Sequence, residues 1–221
     1  MAGTRLWADA RFRAHRYVVI DFEGLTPKGQ PPVPVEVASI ILAVGDDGLI
    51  EVDRFNALLR PPADLDLSAL YLPPRLTAGE LRIADPPGTV MGRLDKRVAG
   101  RRFRLVAHHA SVEANLIAGY ADACPHLSAA PLLDTLRLTR TLDSAQGSYG
   151  LDHVMQRLGI PMPPDRHRAL ADALATAEVF RRFLSAGGET GALRSLHDLE
   201  RVAGRGPAKQ GAPGSNQATL F

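Results

Sequence analysis

Cysteine is nearly absent from this chain: Cys124 is the single one in 221 residues. One thiol excludes an internal disulfide framework and a cysteine-rich zinc site. Long apolar runs are also missing, and no uninterrupted stretch approaches the roughly 20 residues needed to cross a bilayer. Residues 1–16 carry several arginines but lack the apolar segment of a secretory signal, so the expectation is a cytoplasmic protein without membrane association. Charge of one sign is scarce as well. The formal charge is +2 and the pI about 8.9, a balance that allows a nucleic-acid partner without demanding one. The length suits one α/β domain with a sizeable core plus a tail.

What the chain does have begins at Tyr17-Val18-Val19-Ile20-Asp21-Phe22-Glu23-Gly24, an apolar β-branched run ending in two carboxylates. The run suits a strand buried on both faces. Side chains alternate along a strand, so Asp21 and Glu23 share one face and Phe22 takes the other. Two acids side by side in a core repel, and they need a cation or a retained proton.

Further strands are expected over residues 35–44 and 49–60, joined by the hairpin signal Gly45-Asp46-Asp47-Gly48, over 104–107 and over 131–134. Residues 61–74 are too proline-rich for regular structure. Helical spacing is found over 76–87, 89–100, 135–142 and 151–158, and from a proposed Ser111 N-cap through Glu113 to Tyr120. Residues 168–184 form the strongest helical pattern, alanine-rich with no internal glycine or proline. The order βββ, αβα, βα predicts a mixed sheet with helices on its faces. From Gly204 to Asn216 the chain is rich in Gly, Pro, Ala and Ser without an acid, the composition of a flexible linker. The division read from this pattern is an N-terminal extension (1–16), a main domain (17–186), a short helical connector (187–203), a linker (204–216) and a terminal peptide (217–221).

His167 falls on the loop ahead of the best helix. Asp172 lies inside that helix, where small neighbours Ala169, Ala173 and Thr176 permit close approach to the first strand. Taken with Asp21-x-Glu23 and His108-His109-Ala110-x-x-Glu113, this order resembles the three motifs of the DEDDh family of 3′-5′ exonucleases, across roughly residues 17–184. The resemblance extends to Leu133-Asp134-Thr135-Leu136 and Tyr149-Gly150-Leu151. It implies an α/β ribonuclease H-like fold with a five-stranded mixed sheet flanked by helices. It also implies a two-metal-ion phosphodiester hydrolase using Mg²⁺ or Mn²⁺. Asp21 would bridge the two ions, Glu23 and Asp172 would bind them further, Glu113 would hold the second ion directly or through water, and His167 would be the general base. Phe22, Gly24, Leu25, His108 and Arg168 are the candidate substrate contacts. Arg101-Arg102-x-Arg104 and Arg166-x-Arg168 are candidate phosphate contacts.

The chain departs from the family pattern in its second motif and just after the first motif's glutamate. His109 stands where Asn is usual, Val112-Glu113 replaces a Phe-Asp pair, and Gly24 replaces a frequent threonine. Asp134 is read as a helix cap, and Asp152 is left unassigned.

Gln217-x-x-Leu220-Phe221 resembles the short peptide that binds the bacterial DNA sliding clamp, with these three as partner-binding residues. The implied function is degradation of DNA from the 3′ end to nucleoside 5′-monophosphates in proofreading or repair. The alternatives are a 3′-5′ exoribonuclease and a catalytically silent adaptor that binds nucleic acid or the clamp.

Overall fold

The computed structural model describes residues 5–143 and 147–207. Two short N-terminal helices, α1 (Arg5–Ala8) and α2 (Ala10–Arg13), lead into β1 (Arg16–Leu25), β2 (Val33–Val44) and β3 (Leu49–Leu58). Helices α3 (Ala78–Ile83) and α4 (Pro87–Val98) precede β4 (Phe103–Ala107), and α5 (Ser111–Ala118) and α6 (Pro125–Ala129) precede β5 (Leu132–Asp134). The chain continues through α7 (Thr135–Leu142), α8 (Leu151–Arg157), α9 (Ala169–Glu189), α10 (Leu196–Ala203) and β6 (Gly204–Arg205). The sheet order is β3-β2-β1-β4-β5-β6. Strands β1, β4 and β5 are parallel, while β2, β3 and β6 run antiparallel to their neighbours. This is the mixed sheet expected from the sequence, with six strands where five were anticipated.

Alternation along β1 divides the core. Tyr17 and Val19 join Ala38, Ile40 and Leu42 of β2 under α9, whose Phe180 ring lies 5.6 Å from that of Tyr17. Val18, Ile20 and Phe22 face the opposite layer with Val90, Met91 and Leu94 of α4 and Ile117 of α5. Both faces of β1 are thus sealed, as its continuous apolar run requires. A smaller cluster gathers Leu25, Val35, Leu67, Leu76 and Leu81. There α3 starts with a reciprocal cap between Thr77 and Glu80.

Tertiary packing changes four local expectations. Leu6 and Phe12 are fully buried in the main core, and the Tyr17 hydroxyl donates to Phe12 O at 3.1 Å, so residues 5–15 pack as part of the domain. Helix α9 continues to Glu189, through Gly187-Gly188, because Leu193 packs onto Gly187; a Cβ there would come within 2.7 Å of that side chain. Ser111 is the first residue of α5 and Ala110 takes the cap position, since the turn before it is fixed from β5. Gly204 and Arg205, assigned to the linker from composition, instead pair with Leu133 and Leu132. A two-residue strand has no periodicity to read, and α10 delivers it to the free edge of β5. The terminal peptide with Gln217, Leu220 and Phe221 lies outside the described residues, as does the linker from residue 208 onward.

Candidate active site

Asp21 and Glu23 project from the end of β1 on the α9 side, following Tyr17 and Val19. Asp172 sits one turn into α9, and Ala169 and Ala173 beside it are fully buried against the sheet. Glu113, in the first turn of α5, is the neighbouring charge that acts most strongly on Asp21. His167 is exposed in a left-handed backbone conformation, φ 64°. One oxygen each of Glu23 and Asp172 and a ring nitrogen of His167 lie within 4.8 Å of one another. Residues from positions 21 to 172 therefore converge on one mouth of the sheet.

The electrostatics of this mouth are unfavourable for four free carboxylates. Burial raises Asp21 well above the usual carboxylate range, and the charges of Glu113, Asp172 and Glu23 raise it further. Glu23 is pushed up to about 7 by burial, then by Asp172 and Glu36. Glu113 is pushed up to about 8, chiefly by burial. Its Oε2 is buried without a hydrogen-bond partner. Carboxylates so placed hold protons at neutral pH or take a cation. An all-oxygen donor set with one imidazole nearby suits hard divalent ions such as Mg²⁺ or Mn²⁺.

Three supports position these acids, and two were not anticipated. Glu36 of β2, opposite Glu23 and fully buried, accepts from Arg168 Nε at 2.8 Å and Nη2 at 3.0 Å, and from Ala169 N at 3.3 Å. It supplies the missing cap and a negative charge at the α9 N-terminus. The signal was present in Val35-Glu36-Val37, an acid inside an apolar strand. Asp134, expected to cap α7, does so through Leu136 N at 3.0 Å, and also accepts from His109 N at 3.1 Å. That second bond secures a left-handed residue, φ 66°, at the turn that launches α5 and Glu113. Arg166 is the third support: its Nε donates to Asp152 Oδ1 at 2.7 Å, its Nη2 meets the same oxygen, and its Nη1 meets Asp172 Oδ1.

Several candidate substrate contacts are committed elsewhere. Phe22 is 6% exposed and points into the α4 layer, and Leu25 is 1% exposed in the third cluster, so neither side chain forms a wedge at the mouth. His108 is tied down by Thr135 Oγ1 and Tyr149 O, both at 2.9 Å, and burial lowers its pKa. A carbonyl can only accept, so Nε2 donates to Tyr149 O and braces the loop before α8. Arg168 is held by Glu36 rather than free for phosphate. Arg101, Arg102 and Arg104 lie at the opposite end of the sheet, beside Arg16, which is about 17 Å of strand away from Asp21; Arg104 pairs with Glu200 at 2.7 Å. Gly24 is half-buried beside Glu23, and a Cβ there would meet nothing closer than Val33 O at 3.5 Å.

Comparison with known structures places the fold. A 3′-exonuclease solved in recognition of a histone mRNA stem-loop superposes with a TM-score of 0.64 at 16% identity, covering 82% of this chain and 67% of that one. Escherichia coli exonuclease I in complex with a dT13 oligonucleotide gives 0.59 at 17%, covering 85% and 46%. Exonuclease X bound to 5′-overhanging duplex DNA gives 0.55 at 24%, covering 82% and 99%. The architecture is thus the ribonuclease H-like fold of 3′-5′ exonucleases.

By sequence, the chain is similar to DNA polymerases III of the PolC type. The Thermotoga petrophila protein is 28% identical over 200 residues, 88% of this chain, and that of Staphylococcus epidermidis is 26% identical over 206 residues, 93% of it. The chain spans only 14% of the length of each. No family model matches it.

Proposed function

We propose that this chain is a divalent-metal-dependent 3′-5′ exonuclease that hydrolyses DNA to nucleoside 5′-monophosphates in proofreading or repair. The observation that carries this reading is the convergence of Asp21, Glu23, Glu113 and Asp172, the first three raised chiefly by burial, with an exposed histidine at their rim. Those four acids would hold the cations, with Asp21 between the others. Bound divalent ions supply charge relief at the scissile phosphate and at the leaving 3′ oxygen.

His167 accepts the proton of the attacking water as the water oxygen bonds to phosphorus, and the P–O3′ bond breaks. The departing 3′ oxygen takes up a proton from solvent. Asp134 holds the turn that sets Glu113, and Glu36 with Arg168 holds the helix end that sets Asp172.

DNA is favoured as substrate by the polymerase relatives. RNA is the second reading, favoured by the likeness to the exonuclease solved on an mRNA stem-loop. No helix among the described residues is long and apolar enough to cross a membrane. We place the protein in the cytoplasm and assign Gln217, Leu220 and Phe221 as a tether to a DNA sliding clamp; a linked tether raises local concentration at DNA. Deleting residues 217–221 then lowers activity on clamp-loaded DNA without changing activity on free oligonucleotides.

The decisive experiment follows mononucleotide release from 3′-blocked and unblocked single-stranded DNA and RNA with Mg²⁺ or Mn²⁺, for wild type and Asp21→Asn. Metal-dependent release from unblocked DNA that vanishes in the variant is the expected result. Faster release from RNA would move the assignment to an exoribonuclease, and no release from either polymer would overturn the enzyme.

A further inference from the structure

Arg166 inserts a cation among the acids of this site. Its side chain is 14% exposed and touches two carboxylates in two different ways. Toward Asp152 the contact is two-pronged, Nε at 2.7 Å and Nη2 on the same oxygen, so the guanidinium plane is fixed from that side. Toward Asp172 only Nη1 is used. That nitrogen and Asp172 Oδ1 lie against one another as opposite charges. The same positive charge opposes the upward shifts of Asp21 and Glu23.

We propose that Arg166 is a tethered counter-cation that competes with divalent metal for Asp172 and thereby sets the metal affinity of the site. The inference rests on the metal-dependent reading above. Two features separate this role from an ordinary ion pair. Its partner Asp172 belongs to the acid group with the donor chemistry for a hard cation. The tether to Asp152 on α8 lies outside that group, so the guanidinium keeps a partner when Nη1 gives up Asp172.

Arg168, two residues on, shows the contrast: its Nε and Nη2 fork onto the two oxygens of Glu36 at 2.8 and 3.0 Å, and its Nη1 donates to Pro74 O. That arginine holds a helix end. Arg166 holds a place among ligands.

A residue that only braced Asp172 would lower metal affinity when removed, whereas a competitor raises it. The test is Mn²⁺ binding by electron paramagnetic resonance of the free ion and by calorimetry, on the full chain. Wild type, Arg166→Gln, Asp21→Asn and, as a charge control on the outer part of α9, Arg182→Gln would be compared.

Arg166→Gln is expected to bind Mn²⁺ about tenfold more tightly than wild type. Arg182→Gln should stay within about twofold of wild type. The rise in melting temperature on adding Mn²⁺ should also be larger in Arg166→Gln, as linkage requires of tighter binding. In wild type labelled with ¹⁵N, side-chain signals of Arg166, assigned by their loss in Arg166→Lys, should shift with Mg²⁺ in step with occupancy. This arm holds even if Arg166→Gln fails to fold.

Equal or weaker Mn²⁺ binding by a folded Arg166→Gln, or Arg166 signals unmoved at saturating Mg²⁺, overturns this inference while leaving the exonuclease reading intact. Absence of Mn²⁺ binding in wild type overturns both.

Discussion

Two sets of buried carboxylates in this molecule behave in opposite ways. Glu36, Asp95 and Asp134 are each surrounded by donors. Asp95 accepts from Leu127 N at 2.8 Å and His126 Nδ1 at 2.7 Å, Asp134 from two backbone amides, and Glu36 from a forked arginine and a helix N-terminus. Asp21, Glu23 and Glu113 are raised chiefly by burial and further by neighbouring acids, and Glu113 Oε2 has no partner. The first set fastens elements together. The second is a cost that the fold carries at one mouth, and such a cost persists where a function uses it.

Replacing one acid from each set gives the largest contrast. Asp21→Asn should reduce nuclease activity by at least about a thousandfold, while in EDTA its melting temperature should equal or exceed that of wild type, because a neutral amide replaces a carboxyl whose ionisation the site opposes. Glu36→Gln should do the reverse in stability, costing about 3 kcal/mol by stranding the Arg168 guanidinium. Urea denaturation of both variants checks the pair. An unstable Asp21→Asn or an unaffected Glu36→Gln would erase the distinction.

The next effect is on pH. In the folded chain Glu23 and Glu113 keep protons to about 7 and about 8, against an ordinary value of 4.5. The folded state therefore binds more protons than the unfolded state between about pH 5 and 8. Stability in EDTA should fall as pH rises through that window. Divalent metal displaces those protons, so Mn²⁺ affinity should rise over the same range. Urea midpoints at pH 5.5 and 8.5, with and without Mn²⁺, test the sign, and a flat profile in EDTA would mean the second set is better satisfied than its surroundings indicate.

The smaller effects sharpen what surrounds the acids. Glu113→Asp restores the carboxylate length of the family pattern. It should lower activity by roughly tenfold or less, because α5 and its turn are set by Asp134 for the longer side chain. A Cβ in Gly24→Thr meets only ordinary contacts, the nearest atom being Val33 O at 3.5 Å, so stability should change by no more than about 0.5 kcal/mol. Its readout is KM for the oligonucleotide, which a side chain at this position should lower.

Much of this was legible along the chain because it depends on local periods. A strand alternates every residue, so Asp21 and Glu23 had to share a face and Phe22 to leave it. An alanine-rich helical pattern without breakers placed Asp172 inside α9 and left His167 ahead of it. Asp134 read correctly as a cap of α7, since Asp at that position serves the following amides. Packing could not be read this way: Leu25 enters the third cluster and Arg168 is taken by Glu36, although both lie beside the motifs in sequence.

What the sequence alone determined is the order and local geometry of the motifs, because backbone periodicity and capping act over a few residues. The tertiary structure decided the rest. Glu36 reaches Arg168 across 132 positions, β6 pairs with β5 by way of α10, Leu6 and Phe12 enter the core from the far N-terminal side, and Arg166 comes to rest against Asp172. Such pairings arise when separate elements bury their apolar faces together, and no window of sequence short enough to show a period contains both partners.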